Sequence, residues 1–370
     1  MASDQPTVAV IGAGNVGCAL SADLVLRGVD VRLWNRSPGR LEPIRRAGGI
    51  TATGVVEGFA APGRVTDSLE ETIKGASVVC VTVPTPALPS IAPALADLAT
   101  PGQLIWLNPG HSGGALYVAA EIHRRTGRRH LLCQQSTASH GCRMTRPATA
   151  GVFHTPRVRL AALPGTAIDE CLERLDALLP GRFTAADTVL ELDLGNVNAV
   201  LHPPLMVGNA GWIEATAGDF PIYRDGAGRA VARLIDAVDA ERMAIAARLG
   251  VPTRTLGEFL ADAGYTTAAA AATGHVYDAL QASESVAAVK APSTLDHRYL
   301  HEDVGWGLIP WLELARHCGL AAPTVEALST VAGVLAGRDY HRDGLTLERM
   351  GLTGIEPDGI ASYARGGSVQ

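Results

Sequence analysis

Two hydrophobic rhythms alternate along the first half of the chain. Thr7 to Ile11, Val29 to Trp34, Ser77 to Val83 and Leu104 to Leu107 are short, continuous apolar runs rich in β-branched residues. Runs of this length, bounded by glycine or proline, mark strands buried on both faces of a parallel sheet. Between them the spacing turns helical, from Asn15 to Arg27, which Gly28 stops, and from Pro38 toward Arg46. Leu131 to Gln134, Ala148 to Phe153 and Val158 to Leu163 are expected to extend the same sheet. A helix from Ala167 to Leu178 and an edge strand over Gly181 to Thr184 complete this half.

Beyond about Val189 the strand pattern stops. Thr188 to Glu214, Ala230 to Leu249, Leu256 to Asp262, Val276 to Ala282 and Asp303 to His317 carry helical spacing, and Ala268 to Ala272 is helix-compatible. Gly250 and Gly319 stand where helix C-termini favour glycine, with Pro252 and Pro323 just beyond. The fold class is therefore α/β, a doubly wound Rossmann-type domain over residues 1–187 followed by an all-helical domain over 188–370. Ligands of such sheets bind outside the strand C-termini, which places the expected active site in the cleft between the domains.

The turn after the first strand carries the chemistry of that half. Gly12, Gly14 and Gly17 hold the G-x-G-x-x-G spacing between a strand and a helix, with Asn15 and Val16 inside it. The glycines provide a tight turn, room for a pyrophosphate against backbone, and close helix–strand packing. The helix N-terminus adds free N–H groups and a positive dipole end. At the end of the second strand an acid ordinarily accepts the ribose hydroxyls of NAD. Here the segment reads Trp34-Asn35-Arg36-Ser37. Asn35 removes the repulsion a 2′-phosphate would meet, while Arg36 and Ser37, with Arg40 in reach, offer it a guanidinium and a hydroxyl. NADPH is the expected cofactor, ahead of NADH. Val83-Pro84 and the loop Asn108-Pro109-Gly110-His111 leave strand ends on the same side, and Ser112 to Gly114 can open a helix toward an anion. His111 is a secondary candidate for substrate contact.

In the helical half the segment Asn196 to Glu214 is the richest in polar chemistry. Asn198, His202, Asn209 and Ile213 would share one face of a continuous helix, yet Pro203-Pro204 is expected to break it beside His202. Imidazole is the side chain best suited to moving a proton near neutral pH. The alternative is a helix start at Pro203 with His202 as packing. A second constellation, Leu295 to Leu308, contains Arg298, Glu302 and Asp303, with Asp303 opening a helix. First-turn carboxylates are favourable there for dipole reasons alone. Arg298 can also fork a carboxylate and Asp303 can orient a histidine.

At these residues the chain resembles the opine dehydrogenase (octopine/nopaline dehydrogenase) family. The resemblance runs through the N-terminal fingerprint, Leu107-Asn108-Pro109-Gly110 with Gly113-Gly114, Asn196 to Glu214, and Lys290 to Asp303. It implies reductive condensation of an amino acid with a 2-oxo acid, through an imine, to an N-(1-carboxyalkyl)amino acid. It further implies that His202 transfers the proton, Asp303 pairs with it, and Arg298 holds the oxo-acid carboxylate, with Asn209 and Gln135 also at the substrate. Where family members often carry an acid, Gln135 is neutral, and His140 stands near an expected tyrosine. That exchange is expected to disfavour an amine donor with a second cationic group.

Three other readings share parts of this pattern. A ketopantoate-reductase-like or 3-hydroxyacid dehydrogenase would use a lysine as proton donor, for which Lys290 is the candidate. An imine reductase of secondary metabolism would need no separate amine. A non-catalytic NADPH sensor would leave His202, Arg298 and Asp303 without a purpose.

Bulk properties narrow the partners. The net charge of -6 gives no basic surplus for nucleic acid, and no apolar run is long enough for a membrane span. The N-terminus lacks a basic and apolar leader pattern, and the six cysteines show no C-x-x-C or metal spacing. No metal is expected, the thiols are expected to be free, and a cytoplasmic location follows. The expected partners are the two small substrates, with a homodimer as the assembly to test.

Overall fold

The structure is a computed structural model describing residues 6–366. Among the described residues twelve strands form in the first half: β1 (Thr7–Ile11), β2 (Asp30–Trp34), β3 (Ile50–Gly54), β4 (Gly58–Ala60), β5 (Arg64–Thr66), β6 (Val78–Val81), β7 (Leu104–Leu107), β8 (Leu131–Gln135), β9 (Gly141–Arg146), β10 (Thr149–His154), β11 (Val158–Leu163) and β12 (Phe183–Ala185). Eight of them build one sheet in the order β12-β11-β8-β7-β6-β1-β2-β5. All pairings are parallel except β8 with β11. The four central strands β1, β6, β7 and β8 are almost fully buried, which is why they read as unbroken apolar runs. Strand order reverses at β1/β6, the place where doubly wound sheets bind nucleotides.

One expectation is corrected. Ala148 to Phe153 does not extend this sheet. It forms β10 of a separate four-stranded sheet ordered β4-β3-β10-β9, with β10 parallel to β3. The reason lies in the helix Asn15–Leu26, whose Gly17 to Leu24 are buried all round. A helix apolar on every side needs cover on both. The main sheet covers one face and the small sheet packs on another.

The chain divides into two units. One runs through Leu192 and takes in the chain from Ser362 on, and the other is Asp193–Ala361. The division thus falls beyond residue 187, and the C-terminal segment belongs with the first unit, where Arg365 pairs with Asp187 at 2.7 Å.

Among the described residues the second unit contains helices and no strand. The helix expected over Thr188 to Glu214 is three: Val189–Leu194, Val197–Gly208 and Ala210–Thr216. Pro203 and Pro204 do not break the second of these, contrary to expectation, and both lie buried inside it. Each proline lacks the N–H that would reach back one turn, so no helical bond can form to the carbonyls of Ala199 and Val200. The breaks fall at other points, with Asn196 capping the amide of Asn198 at 3.2 Å and Asn209 forming the joint to the next helix. Gly250 and Gly319 adopt left-handed backbone, at φ 63° and 69°, where the helices Arg229–Arg248 and Ile309–His317 end.

Candidate active site

The glycine turn is shaped for a dinucleotide. A Cβ on Gly17 would lie 1.7 Å from the carbonyl oxygen of Gly12, so helix and turn touch where only glycine fits. Gly12 has φ 122° and is packed against Thr82 and Val83, while a Cβ on Gly14 would meet nothing within 4 Å. The second glycine therefore faces open space, as approach of a pyrophosphate to backbone demands. No side chain caps the helix at Gly14, and no acid stands in its first turn. Thr82 Oγ1 donates to the Gly12 carbonyl at 3.0 Å and locks the turn. Asn15 accepts the Met144 amide at 3.0 Å through its side chain, tying the turn to β9.

At the end of β2, Asn35 Oδ1 accepts the Ala13 amide at 3.1 Å and its Nδ2 donates to the Ser37 carbonyl at 3.2 Å. Asn35 therefore braces the glycine turn besides removing a charge. Arg36, Ser37 and Arg40 are exposed, and Ser37 caps the helix Pro38–Ala47 with its hydroxyl unengaged by that helix.

The remaining loops depart from expectation in part. Val83 is half-buried and Pro84 exposed beyond the end of β6. The Asn108 side chain turns inward: it donates to Ser139 Oγ at 2.8 Å and accepts from Gln135 Nε2 at 2.7 Å. The Asn108 backbone amide bonds the Val81 carbonyl at 2.9 Å and the residue is fully buried, so the expected cofactor contact is corrected as well. Gln135, expected at the substrate, is a buried strut whose Oε1 also accepts from Trp106 Nε1 at 2.8 Å. Its amide is fully engaged in the core of the first unit, so the expectation of substrate contact is corrected. His111 has left-handed backbone at φ 42° and is half-buried. The helix after it, Gly114–Thr126, keeps few amides for an anion, because Gly114 N bonds the His111 carbonyl and Ala115 N bonds Gln134 Oε1, both at 3.1 Å.

The same network reaches His140, which is buried. Its Nδ1 lies 2.8 Å from Ser139 Oγ and its Nε2 3.0 Å from Asp23, which also takes Arg27 Nε at 2.7 Å. Burial, against the pull of Asp23, holds the imidazole below the usual histidine range. Burial would raise the Asp23 carboxyl, but the bonds from His140 and Arg27 outweigh it and hold that carboxyl down. The consistent assignment is a neutral imidazole donating Nε2–H to a carboxylate.

In the second unit, helix Val197–Gly208 carries His202 and the turn before the π-helical segment Val304–Leu308 carries Asp303. His202 Nδ1 stands 2.7 Å from Asp303 Oδ2, and both side chains are buried, at 5% and 1% exposure. A carboxylate only accepts, so Nδ1 carries the hydrogen and a neutral ring leaves its lone pair on Nε2. That atom lies 2.9 Å from the Tyr223 hydroxyl, and the ring stacks on Tyr299 with centroids 3.5 Å apart. A Cβ on Gly307 would come within 2.6 Å of Ala199 Cβ. The glycine thus lets the π segment close on the histidine helix one turn from His202. Such π segments concentrate at functional sites. Asp303 Oδ1 is buried without a hydrogen bond.

Arg298 is not a free fork. Its Nε and Nη2 hold Glu302 Oε2 at 2.8 and 2.6 Å, which occupies one edge of the guanidinium. Burial lowers its proton affinity, but Glu302 and Asp303 beside it more than reverse this. Asn209 Nδ2 donates to the carbonyls of Leu205 and Gly226 at 2.8 and 2.9 Å, clamping the loop that carries Tyr223. Its observed work is structural. Lys290 is exposed and its ammonium is paired with Asp219 at 2.6 Å, so it is a poor proton donor for a carbonyl.

Residues 185–336 match a family model described as NAD/NADP octopine/nopaline dehydrogenase, alpha-helical domain, and residues 8–158 match ketopantoate reductase PanE/ApbA. A curated opine dehydrogenase from Arthrobacter sp. (strain 1C) is 32% identical over 97% of this chain and 99% of its own length. The chain belongs to the opine dehydrogenase family. The family's reaction is the reductive condensation of an amino acid with a 2-oxo acid, and this member is a nicotinamide-dependent oxidoreductase. The protein ocs of Agrobacterium tumefaciens (strain Ach5) is 26% identical over 97% of the chain and 99% of its own. Among solved structures, octopine dehydrogenase with NADH and L-arginine has a TM-score of 0.80 at 21% identity, covering 97% of this chain and 98% of that one. Yersinopine dehydrogenase with NADP+ bound has 0.76 at 19% identity, covering 99% of each. These two share the fold. The ketopantoate reductase match covers the nucleotide-binding half, and the helical half carries the opine dehydrogenase match.

For this opine dehydrogenase, three residues of the histidine site had not been singled out from sequence. Tyr223 lies in the loop Pro221 to Gly226, where no periodicity marks it. Tyr299 sits inside the segment Lys290 to Asp303, and its ring covers one face of the imidazole. Glu302 had a first-turn dipole explanation that hid its pairing with Arg298. Among the described residues no cluster suits a metal ion, no helix is long and apolar enough to cross a membrane, and the six cysteines are free.

Proposed function

We propose that this opine dehydrogenase prefers NADPH and that His202, set by Asp303, handles the protons of condensation. Gly12, Gly14, Asn15, Val16 and Gly17 would hold the pyrophosphate, and Arg36, Ser37 and Arg40 the 2′-phosphate, braced by Asn35. The bound reduced nicotinamide supplies the hydride that saturates the carbon–nitrogen double bond.

The chain's own residues do the rest. Neutral His202 takes one proton at Nε2 as the substrate ammonium becomes a nucleophilic amine. It returns that proton to the hydroxyl leaving as water when the imine forms, so the imidazole is restored within the condensation. Asp303 keeps Nδ1 protonated and stabilises the imidazolium between the two transfers. Arg298 would present the other edge of its guanidinium to the oxo-acid carboxylate, with the Nε–Nη2 edge held by Glu302. Alignment of the two substrates would supply a large part of the acceleration.

The observation that carries the reading is the buried His202–Asp303 pair at 2.7 Å, inside the half matched to the octopine/nopaline dehydrogenase domain. The amino acid and the 2-oxo acid are left to experiment, with pyruvate as the first oxo acid to try. Purified protein with NADPH, a panel of amino acids and a panel of 2-oxo acids is followed by absorbance and by product mass. Oxidation requiring both partners, with a product lighter by one oxygen than the sum of the two substrates, is expected. Oxidation with an oxo acid alone would contradict it.

A further inference from the structure

In the structure, both ring nitrogens and one face of the His202 imidazole meet side chains of its own unit. Nδ1 faces Asp303, Nε2 faces the Tyr223 hydroxyl at 2.9 Å, and Tyr299 covers a ring face at 3.5 Å. The two tyrosine hydroxyls lie 3.3 Å apart. Tyr223 is buried and Tyr299 half-buried, so the series runs outward from the histidine.

We infer that Tyr223 and Tyr299 form a hydroxyl relay carrying protons between His202 Nε2 and the solvent side of the helical unit. This rests on the reading of His202 as the proton-handling group, and it assigns both tyrosines as positioning residues that act through it.

The proton balance gives the relay a task. Condensation itself is neutral in protons, since the ammonium loses what the departing water gains. Hydride addition to the protonated imine then yields a neutral secondary amine, which takes up one proton to become the ammonium product. One proton per turnover must therefore enter from water. With Nδ1 held by a carboxylate, Nε2 is the ring atom that exchanges it.

The hydrogen bonds can switch direction without moving heavy atoms. With neutral His202, Tyr223 donates to Nε2 and accepts from Tyr299. With the imidazolium, Nε2–H donates to Tyr223, whose own hydrogen turns to Tyr299. Each hydroxyl gives up one proton as it gains another, so neither need become a phenolate. Burial first, then Tyr299 and Asp303, push the Tyr223 phenol well above its usual range, in keeping with a hydroxyl that stays neutral. The 3.3 Å link is longer than an ordinary O–H···O bond and is the step expected to limit transfer.

Tyr223 is also held in place. Asn209 clamps Gly226, Gln281 Nε2 binds the Arg224 carbonyl at 2.9 Å, and the Ile222 amide bonds the Val289 carbonyl at 2.9 Å. A loop fixed on both sides of the tyrosine suits a relay better than a swinging gate.

The test uses Tyr223→Phe and Tyr299→Phe in the full chain, each keeping its ring. For Tyr223→Phe, kcat should fall about thirtyfold or more while both KM values stay within about threefold. The solvent deuterium effect on kcat should rise, and the pH profile should change shape. Tyr299→Phe should shift the same readouts less. Wild-type kcat and isotope effect in either variant would overturn the relay, as would a fall in kcat uniform in pH with an unchanged isotope effect. If Tyr223→Phe does not fold, Tyr299→Phe decides alone by the same criteria. His202→Ala separates the two claims: activity there removes the underlying reading, whereas an inactive His202→Ala beside normal tyrosine variants removes the relay alone.

Discussion

Replacing Asp303 by asparagine keeps the volume of the side chain and changes one thing, the hydrogen it offers to His202. An asparagine can place its oxygen or its NH2 against Nδ1. With the oxygen there, the NH2 takes the position of Asp303 Oδ1, which is buried and has no partner. A buried unsatisfied donor costs about 1–3 kcal/mol. With the NH2 there, the oxygen stands where an oxygen already stood, but it forces the hydrogen to Nε2 and removes the base. The structure thus favours the unproductive tautomer. In the productive minority, loss of the carboxylate weakens a charge-assisted bond by a further ~1–2 kcal/mol. Together this is about 2–5 kcal/mol, or roughly 30- to 5,000-fold in kcat/KM. The assay is steady-state NADPH oxidation with the substrate pair found in the panel screen, alongside thermal denaturation to show that Asp303→Asn remains folded. A variant retaining more than a third of wild-type kcat/KM would refute the assigned role of the carboxylate.

Asn35→Asp combined with Arg36→Ala should move the NADPH/NADH ratio of kcat/KM toward NADH by about tenfold to a hundredfold, since the new carboxylate can still accept the Ala13 amide while repelling a 2′-phosphate. An unchanged ratio in cofactor titrations would discard the assignment. For His140, the folded imidazole sits below the unfolded value near 6.5, so the unfolded chain binds the extra proton first. Stability is therefore full above about pH 6.5 and falls as the pH drops from there toward the lower folded value. His140→Gln, which can still donate to Asp23, should show a shallower decline in Tm between pH 7.5 and 5.5, and parallel curves would contradict this.

The nucleotide-binding half was legible because each of its signals is local. Thr7–Ile11 and Leu104–Leu107 are strands bounded as their apolar runs are, and the glycine turn sits between strand and helix where its spacing demands. The small sheet was not legible as a sheet. Gly58–Ala60 is only three residues long, and β10 pairs with β3, nearly the length of a domain away in sequence. Pairing over such separation leaves no period to read. The proline pair misled because local preference argued for a break, whereas burial on all sides holds the helix together. His202 and Asp303 could be proposed separately, but their contact depends on Gly307 closing against Ala199, a matter of tertiary packing. The Asn108–Ser139–His140–Asp23 chain shows the same limit, since its ends lie far apart in sequence. It also explains why Gln135 belongs to the core: its amide has partners on every side that only the folded sheet supplies.

The most direct test of the account is His202→Ala, measured for turnover and for NADPH binding in the same preparation. Without the imidazole, no group replaces the base beside Asp303, and turnover should fall by about 10²-fold or more. NADPH affinity should stay within about twofold, because the nucleotide is held by residues of the first unit. Turnover near the wild-type rate, or loss of NADPH binding along with activity, would contradict the account.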